Sequence, residues 1–324
     1  MKNSHIKIVI VGLGHQSKTD HLPVIQNNPN IELVGIVDPY VTEFQNVRVF
    51  DSIDSLDSSG LEYDSVLVSI PHNLHFGVVS DFVKRGKHVL KEKPAALSII
   101  DLNKLCDLSK ENNVHIMVNA QRRLKDHYQK AKQFLNQLGQ IFLIEGKYCI
   151  YVPNPEEGWR GDAAIAGGGC IIDMGYHLID LITYYFGLPD SITALSSMKA
   201  IPSADYSAED TAVINFKYDN PLIEANGSLL ISRFCGPKDE FIRVVGSEGI
   251  LEITKQGLIL KNNSGEIVTV IDGNKSVNPI DHFVDVLIND SESLLNLNSH
   301  LSNTVFIEKC YESIKYKKSI NLNN

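Results

Sequence analysis

The feature that most constrains the fold is an apolar, β-branched run that passes directly into a glycine-containing turn. Residues 6–11 suit a buried parallel strand, and Gly12-Leu13-Gly14-His15-Gln16-Ser17 follows at once. The pattern is G-x-G-x-x-G with serine at the third glycine, and a helix is expected after it. Gly12 permits a tight turn, and Gly14 lets backbone N–H groups approach a pyrophosphate. Ser17 predicts slightly looser packing of the helix on the strand.

A second apolar strand ends on an acidic residue at the spacing expected of a nucleotide site. The strand covers residues 31–37, and Asp38 follows it, 24 residues after Gly14. A carboxylate there can accept hydrogen bonds from an adenosine ribose. Pro39 and Tyr40 come next, with no adjacent arginine or lysine to favour a 2′-phosphate. The sequence therefore predicts NAD rather than NADP as the cofactor.

The rest of the first 120 residues alternates predicted strands and helices. After Asp38 we predict a short helix, a strand at 47–50 and another short helix at 53–56. Later strands are predicted at 65–70, 87–90 and 114–118, and helices at 75–85 and 99–112. This alternation indicates an α/β fold with a doubly wound parallel sheet. We therefore predict an NAD-binding Rossmann domain over residues 1–120.

Two polar loops follow strands of this predicted sheet, at the edge where ligands bind. The first is Pro71-His72-Asn73-Leu74-His75. We interpret its histidines as residues beside a cofactor, because the further ligands of a metal site are missing, and no metal is predicted. The second loop is Lys91-Glu92-Lys93-Pro94, in which Pro94 ends regular structure. A lysine there can point into the crevice, and the alternative is a solvated charged turn.

A second glycine-rich turn, Gly167-Gly168-Gly169, opens a predicted helix. Asp173 and His177 are four residues apart and Asp180 is three further on, so all three lie on one helical face. An acid one turn from a histidine can fix its tautomer and raise its basicity, as a general base requires. The glycines are expected to let cofactor and substrate come close. The alternative is a capped helix with a hydrogen-bonded core histidine, and Cys170 is interpreted as a small buried side chain.

The second half of the chain has the pattern of an antiparallel sheet with flanking helices. Strands are predicted at 141–150, 211–218, 223–231, 240–245, 250–254 and 320–322, and helices at 128–138, 279–289 and 302–315. We predict a C-terminal α+β domain over residues 121–324, with a large, open, mainly antiparallel sheet. Its C-terminal helices can pack back on the first domain. The open face should be covered in a homodimer or homotetramer, because it would otherwise expose apolar surface.

Charge and cysteine usage narrow the functional class. The chain has 324 residues and a formal net charge of −9, which argues against a nucleic-acid-binding surface. The N-terminal apolar run is too short for a signal-peptide core, and no apolar run looks long enough to span a bilayer. The five cysteines are widely spaced and are interpreted as free thiols in a reducing cytoplasm. We expect a cytoplasmic protein with a small-molecule substrate and no nucleic-acid or membrane partner.

These motifs occur in the order of the Gfo/Idh/MocA oxidoreductases, which the chain resembles over nearly its whole length. The resemblance rests on the Gly12-x-Gly14 turn, Asp38, the loop 71–75, Glu92-Lys93-Pro94 and the stretch 167–180. It implies hydride transfer between NAD and a secondary alcohol of a sugar, cyclitol or sugar derivative. It also implies that Lys93 contacts nicotinamide and the reacting hydroxyl, that His177 transfers the proton, and that Asp173 supports His177. The chain departs from the family at Ser17 and in the shortened region after Asp38, which affects the adenine-side pocket.

The motifs and the resemblance together predict two sets of contacts. The predicted cofactor contacts are Gly12, Leu13, Gly14, His15, Asp38, Ser69, Pro71, His72, His75, Glu92, Lys93, Gln121, Trp159 and Arg160. The predicted substrate contacts are Lys93, Arg123, Tyr151, Arg160, Asp173, Tyr176 and His177, of which Lys93, Asp173 and His177 are catalytic. Two other functions stay open. One is a cofactor-binding sensor without turnover, and the other is a hydrolase that holds NAD tightly and cleaves a glycosidic bond through transient oxidation.

Overall fold

The computed structural model describes residues 5–198, 200–220 and 223–322. The chain forms two compact units. The first comprises Met1–Gln121 and Val277–His300, and the second comprises Arg122–Ser276 and Leu301–Asn324. The observed division after Gln121 lies one residue from the predicted one, and the segment Val277–His300 belongs to the first unit.

A six-stranded parallel sheet forms the centre of the first unit. Its strands are β1 (Ile6–Val11), β2 (Ile31–Val37), β3 (Arg48–Phe50), β4 (Ser65–Val68), β5 (His88–Lys91) and β6 (Ile116–Val118). Its first four helices are α1 (Leu22–Asn27), α2 (Ile53–Ser58), α3 (His75–Lys84) and α4 (Ile99–Glu111). The strand order is β3-β2-β1-β4-β5-β6, and all neighbours are parallel. This is the predicted doubly wound Rossmann sheet.

Apolar runs in the central strands explain why this sheet is buried on both faces. Val9 of β1 and Val66 of β4 are fully buried, and both pack in one core with Phe82 of α3. Leu297, from the C-terminal segment of the unit, belongs to the same core. The backbone N–H of Val118 also donates to the carbonyl of Leu295 at 2.9 Å. The segment is therefore an integral part of the first unit.

The region after Asp38 differs from its prediction. Residues 40–47 form turns, closed by an antiparallel bridge between Phe44 and Val47, where a short helix was predicted. Gln45 has φ +48°, a left-handed conformation that reverses the chain and that a helix does not allow. The helix predicted next is present as α2. It begins after Ser52, whose hydroxyl accepts a hydrogen bond from the Ser55 N–H at 3.2 Å.

The second unit is built on a nine-stranded mixed sheet. Its strands are β7 (Ile141–Tyr151), β8 (Ser191–Ser197), β9 (Thr211–Asn220), β10 (Ile223–Ser232), β11 (Phe234–Gly246), β12 (Gly249–Thr254), β13 (Gly257–Asn262), β14 (Ile267–Asp272) and β15 (Ile320–Asn321). The other α-helices among the described residues are α5 (Asp126–Leu135), α6 (Ala163–Ala166), α7 (Tyr176–Phe186), α8 (Pro279–Asn289) and α9 (Leu301–Tyr316). Of these, α8 belongs to the first unit.

The strand order of this sheet is β14-β13-β12-β11-β7-β10-β9-β8-β15. Only β7 and β10 run parallel among the paired strands of the described residues, so the sheet is mainly antiparallel, as predicted. The sequence did not predict β8, β13 and β14.

The two faces of the second sheet differ in chemistry. Ile242 and Leu251 are examples of the alternate residues that are buried on the helix-covered face. The other face carries a row of ion pairs across four strands. Arg243 lies 3.1 Å from Glu145 and 3.2 Å from Glu252, and Lys261 also contacts Glu252. Beyond the ion pairs, exposed apolar side chains such as Leu195 and Val213, partners on neighbouring strands, contribute to the surface of this sheet.

Candidate active site

The glycine turn after β1 is shaped by contacts that only glycine allows at its first position. Gly12 has φ +90°, and a Cβ added there would overlap the carbonyl oxygen of Ser69. Ser17 is fully buried, and its hydroxyl donates to the Gly12 carbonyl at 2.6 Å. The serine thus ties the helix start to the turn. The looser packing of the helix on the strand stays a prediction.

The carboxylate of Asp38 helps to build this turn and is also placed to bind a ribose. Its Oδ2 accepts a hydrogen bond from the Leu13 N–H at 2.7 Å, and its Oδ1 accepts one from the Tyr40 N–H at 2.9 Å. Each carboxylate oxygen keeps a lone pair for a ribose hydroxyl. Leu13 is buried and its N–H is used by Asp38. Leu13 is thus part of the turn, which corrects its predicted role as a direct cofactor contact.

The outer side of the same turn is open. A Cβ added to Gly14 would meet nothing within 4 Å, and Gly14 and His15 are both exposed. The Lys18 N–H donates to the Gly14 carbonyl at 3.1 Å, so helical hydrogen bonding begins at the turn. A π-helical segment, Ser17–His21, then leads into α1. An open glycine turn at a helix start can accept a pyrophosphate, so these residues fit NAD.

The loop after β4 directs its histidines inward. His72 and His75 are each 3% exposed, and the Nε2 of His75 lies 2.9 Å from the carbonyl oxygen of Ile70. Burial lowers the pKa of His75 well below its usual value, so the ring is neutral at pH 7. Both rings are buried in the first unit, where they line a small cavity, and their position beside the cofactor stays a prediction. The other predicted contacts of this loop, Ser69 and Pro71, are half-buried.

The two lysines of the loop after β5 have different environments. Lys91 is fully buried, and its Nζ donates to the carbonyl of Pro94 and, at 3.0 Å, to that of Ala95. Burial lowers the pKa of Lys91 to about 7. Lys93 is half-buried. The sequence did not distinguish the two, although Lys91 is the last residue of a strand that is buried on both faces. Lys91 holds the loop, and Lys93 remains the candidate for chemistry.

Between the lysines, Glu92 accepts two hydrogen bonds from side chains that the sequence did not predict. Its Oε1 lies 2.9 Å from the Nε2 of His21 and accepts a hydrogen bond from Asn119 at 2.6 Å. Burial raises the pKa of Glu92, but hydrogen bonds from His21 and Asn119 outweigh that effect and hold the pKa below its usual value. Gln121, at the end of the unit, is half-buried in a short 3₁₀ turn.

In the second unit, the glycines before α7 make room for the protein itself. A Cβ added to Gly168 would overlap the ring of Tyr311, and one added to Gly169 would overlap the backbone of Glu209. Gly168 also has φ +140°. We predicted that these glycines let cofactor and substrate come close. The immediate neighbours of Gly168 and Gly169 are instead Tyr311 and Glu209, so that prediction is wrong for these two glycines.

Glu209 holds the start of the helical segment that carries Asp173 and His177. Its Oε1 accepts hydrogen bonds from the Ile171 N–H at 3.0 Å and from the Tyr311 hydroxyl at 2.9 Å. Burial raises the pKa of Glu209. The sequence did not predict this residue, because its partners lie 38 and 102 positions away. An acceptor at a helix start satisfies N–H groups that have no partner within the helix.

Asp173 lies in a π-helical segment, Ile171–Gly175, directly before α7. Asp173 and His177 are half-buried, whereas the three residues between them are buried, so both lie on the less buried side. The Asp173 carboxylate faces two arginines. Its Oδ2 lies 3.4 Å from the Nη2 of Arg233, and its Oδ1 lies 3.6 Å from the Nε of Arg160. The acid predicted to support His177 is thus also an arginine partner.

Two aromatic rings flank His177. The Tyr148 ring of β7 lies 6.3 Å from the His177 ring, and the Tyr176 ring lies 6.0 Å from it. Arg122 and Lys238 lie over the Tyr148 ring at 5.3 Å and 5.0 Å. Tyr148 was not predicted, because only the packing of α7 on the sheet brings β7 beside the histidine. It adds a ring and a hydroxyl to this side of the unit.

Two predicted substrate contacts belong to the core. Arg123 is 2% exposed and forms a bidentate ion pair with Asp180, with N–O distances of 2.9 Å and 2.7 Å. This also gives Asp180, on the predicted catalytic stripe, a purely structural partner. Tyr176 is 1% exposed. The predicted roles of Arg123 and Tyr176 as substrate contacts are therefore corrected.

The remaining predicted residues of the second unit lie nearer the solvent. Tyr151, at the end of β7, is 59% exposed, with its ring 6.2 Å from that of Phe234. Arg160 is exposed, and its guanidinium stacks over the Trp159 ring at 4.4 Å. Cys170 is fully buried, and burial raises its thiol pKa well above the usual value, as a structural cysteine requires.

Comparison with family models decides the classification. The model of an oxidoreductase family with an NAD-binding Rossmann fold matches residues 6–120, and the model of the GFO/IDH/MocA C-terminal domain matches residues 128–252. The chain belongs to the GFO/IDH/MocA family. Its first domain matches the NAD-binding Rossmann fold of that oxidoreductase family, as the motifs predicted.

Several GFO/IDH/MocA relatives are named for their activity. An uncharacterised oxidoreductase of Schizosaccharomyces pombe is 31% identical over 61% of this chain and 56% of its own length. D-Glucoside 3-dehydrogenase of Escherichia coli is 23% identical over 90% of this chain and 92% of its own. An NADP⁺-dependent scyllo-inositol 2-dehydrogenase of Bacillus subtilis is 24% identical over 68% and 64%. The matched region spans little more than half the length of the first curated relatives.

Solved structures show the same GFO/IDH/MocA fold. The WlbA dehydrogenase of Bordetella pertussis, in complex with NADH and UDP-GlcNAcA, aligns with a TM-score of 0.81 and 22% identity. The alignment covers 99% of each chain. At this level of identity the likeness supports the fold alone.

One stretch of the chain corrects a sequence prediction about membranes. Ala163–Phe186 is long and apolar enough to cross a bilayer by length and composition. The stretch is interrupted at Gly167–Gly169, and 78% of its most apolar window is buried within the structure. By length and composition, the prediction that no apolar run is long enough to span a bilayer is therefore wrong. Among the described residues, no group of three or more histidine, cysteine or acidic side chains is placed to hold a metal.

Proposed function

We propose that this family member is an NAD-dependent dehydrogenase or reductase of a secondary alcohol in a sugar, cyclitol or sugar derivative. The observation that carries the proposal is that Asp173, just before α7, and His177, in its first turn, are both half-buried on the less buried side of this helical segment. A histidine beside an acid can exchange a proton at neutral pH. The names of the relatives that act on a glucoside and on scyllo-inositol support a substrate with several hydroxyl groups.

The first unit would hold NAD through its glycine turn. The segment from Gly12 to Gly14 and the following helix start would bind the pyrophosphate, and Asp38 would accept the ribose hydroxyls. Bound NAD supplies the hydride acceptor. The Asp38 carboxylate would repel a 2′-phosphate, which favours NAD over NADP. Because one relative is named as an NADP⁺ enzyme, the preference needs a direct measurement.

The proton and the developing charge would be handled by side chains of this chain. His177 takes the proton of the reacting hydroxyl, and Asp173 keeps the imidazole oriented for it. By the family resemblance, Lys93 would donate a hydrogen bond to the substrate oxygen and stabilise its negative charge in the transition state. Arg160 and Tyr151, both exposed, can donate hydrogen bonds to other hydroxyls of the substrate.

We also propose that the open face of the second sheet pairs with a second copy of the chain, in a homodimer or homotetramer. The face carries both signs of charge, with Glu145 and Lys261 at opposite ends of the ion-pair row. A two-fold axis can place such a row against its own inverse. Exposed Leu195 and Val213 add apolar area. Light scattering of the wild type and of Arg243→Glu tests this, and a wild-type monomer at micromolar concentration would contradict it.

A substrate panel tests the proposed activity. Polyols, sugars, sugar phosphates and nucleotide sugars are each incubated with NAD and with NADP, and the absorbance of the reduced nicotinamide is followed. We expect turnover with NAD for at least one sugar or cyclitol, and its loss in His177→Gln. A thermal-shift scan of the same mixtures reports binding. Stabilisation by NAD without turnover of any panel member would favour the sensor, and hydrolysis without release of NAD would favour the glycosidase.

A further inference from the structure

We propose that Arg233 is a positioning residue of the candidate active site, which holds Asp173 and sets how readily His177 accepts a proton. The proposal rests on the proposed function for its catalytic consequence. Arg233 lies between β10 and β11, 60 positions from Asp173, and no motif in the sequence pointed to it.

The backbone of Arg233 is fixed on both sides. Its N–H donates to the Asp210 carbonyl at 2.8 Å, and its carbonyl accepts from the Val152 N–H at 2.7 Å. Its side chain is 4% exposed. A guanidinium buried to this degree needs partners, because removing its charge from water is costly unless other groups compensate.

The Arg233 guanidinium contacts two groups of the candidate site in this unit, the Asp173 carboxylate and the Arg160 carbonyl. Its Nη2 lies 3.4 Å from Asp173 Oδ2, and its Nη1 donates to the Arg160 carbonyl at 3.1 Å. One buried cation thus joins the supporting acid to the Trp159–Arg160 segment. The Arg160 side chain, 3.6 Å from the other Asp173 oxygen, is 49% exposed, so water screens its charge. Arg233 is therefore the stronger influence on Asp173.

The expected effect on His177 follows from the charges around it. A carboxylate four residues before His177 would stabilise the protonated imidazole, and Arg233 would offset part of the negative charge of Asp173. Removing Arg233 leaves Asp173 less compensated and should make His177 more basic. Other titratable or charged groups nearby are Tyr148 and Tyr176 beside His177, Arg122 and Lys238 over the Tyr148 ring, Arg160 beside Asp173, and Cys170, Glu209 and Asp210 at the helix start. The substitutions below leave all of these in place.

A histidine titration tests the proposal without any need for turnover. Ring resonances of ¹³C-labelled histidine are followed by NMR against pH, and His177 is assigned by the signal missing in His177→Gln. We expect Arg233→Met to raise the His177 midpoint by about 0.5–1 pH unit. Arg233→Lys should raise it less, because a cation remains. In an Asp173→Asn background, Arg233→Met should shift the midpoint by less than half as much.

Equal shifts in the two backgrounds, or none in either, would overturn the proposal. Arg85→Met is the matched control, because Arg85 pairs with Asp57 in the first unit and should leave His177 unchanged. Where Arg233→Met does not fold, as judged by its melting curve, Arg233→Gln and Arg233→Lys carry the same comparison. Failure of the proposed function appears separately, as an absence of turnover while the titration shifts remain.

Kinetics then test the catalytic consequence with the substrate that the panel identifies. Arg233→Met should lower kcat about tenfold or more, with a smaller change in KM, and should move the pH profile of kcat/KM upward. The losses in Arg233→Met and Asp173→Asn should not add in the double variant, because both act through one carboxylate. Full additivity with an unmoved pH profile would show that Arg233 supports only the fold.

Discussion

Two glycine-rich turns, at residues 12–14 and 167–169, each precede a helical segment, but different groups surround their glycines. At Gly14 in the first unit, an added Cβ would meet nothing within 4 Å. At Gly168 and Gly169 in the second unit, an added Cβ would overlap Tyr311 and Glu209. Gly14 leaves room for a ligand, whereas Gly168 and Gly169 leave room for the Tyr311 ring and the Glu209 backbone of their own unit. A run of glycine shows that space is needed, and only the packed structure shows what occupies it.

In each unit, a buried ionisable side chain forms hydrogen bonds that fix one segment of the candidate site. The side chain is basic in the first unit and acidic in the second. In the first unit, the Lys91 ammonium donates to the carbonyls of Pro94 and Ala95. In the second, the Glu209 carboxylate accepts from the Ile171 N–H and the Tyr311 hydroxyl. An ammonium group donates hydrogen bonds to carbonyl groups, and a carboxylate accepts them from N–H groups. Which backbone groups lack a partner in secondary structure therefore determines whether a basic or an acidic side chain fits. This contrast predicts how each turn responds to mutation and to pH.

The largest expected effect separates the chemistry of the second unit from the cofactor turn of the first. His177→Gln should lower kcat by about 10²–10⁴-fold, the usual contribution of a general base. Its dissociation constant for NAD should stay within twofold of the wild type, because Gly12, Gly14 and Asp38 are untouched. Steady-state kinetics and calorimetric titration with NAD measure the two quantities. His5→Gln, at an exposed position, is the control. Near-wild-type turnover in His177→Gln would remove the proposed mechanism.

The next largest effect concerns the second turn. Gly169→Ala places a Cβ against the backbone of Glu209, which no rotamer change can relieve. We expect a loss of about 2–4 kcal/mol in the free energy of unfolding, at the upper end of overpacking costs. Denaturant unfolding measures it. Gly77→Ala in α3 is the matched control, because nothing lies near its added Cβ and alanine favours a helix. A fully stable Gly169→Ala would break the comparison between the turns.

A smaller effect of the opposite kind is expected at the first turn. Gly14→Ala should leave the free energy of unfolding unchanged, because the added Cβ meets no protein atom and φ is not positive. Its affinity for NAD should fall about tenfold, or about 1.4 kcal/mol, because the methyl group occupies space that the pyrophosphate needs. Calorimetric titration with NAD gives the affinity. Unchanged binding would show that the cofactor does not approach this side of the turn.

Features set by neighbours in sequence were predicted well. The strand, turn and helix around Gly12 follow from local rules, so the Rossmann sheet was predicted nearly strand by strand. The strand β8 was missed because its sequence, SITALSS, is mostly small and polar, and only Ile192 and Ala194 face the core. Its identity as a strand depends on pairing with β9, which no local window shows.

Site residues with distant partners were predicted poorly. Arg123 was assigned to substrate because arginine often binds polar ligands, but its partner Asp180 lies 57 positions away and both are buried. The same reason explains why the sequence did not indicate Glu209, Tyr148 and Arg233. Their partners in residues 171–177 are distant in sequence and come near only when this segment packs on the sheet. Lys91 and Lys93 are two residues apart in one motif, and only burial separates their roles. Sequence patterns therefore indicated the chemistry, and packing assigned the individual side chains.

The smallest expected effect is a pair of opposite pH slopes from Lys91 and Glu209. Burial lowers the pKa of Lys91 from 10.5 to about 7 on folding. The unfolded chain therefore binds more protons between those values, and stability should rise with pH there. Burial raises the pKa of Glu209 above 4.5, so at pH values just above 4.5 the folded chain binds more protons than the unfolded chain. The free energy of unfolding should therefore fall as pH rises from 4.5 through the raised pKa of Glu209. Each slope is at most about 1.4 kcal/mol per pH unit.

Variants isolate the two slopes. The stability difference between wild type and Lys91→Met should move in favour of the wild type from pH 7 towards pH 9, because neutral Lys91 is easier to bury. The difference between wild type and Glu209→Gln should move against the wild type as pH rises from 4.5, because ionised Glu209 is harder to bury. Urea unfolding at each pH measures both, with Lys110→Met, an exposed change, as the flat control. If both stability differences changed in the same direction with pH, the proposed contrast between a buried basic group at Lys91 and a buried acidic group at Glu209 would be wrong.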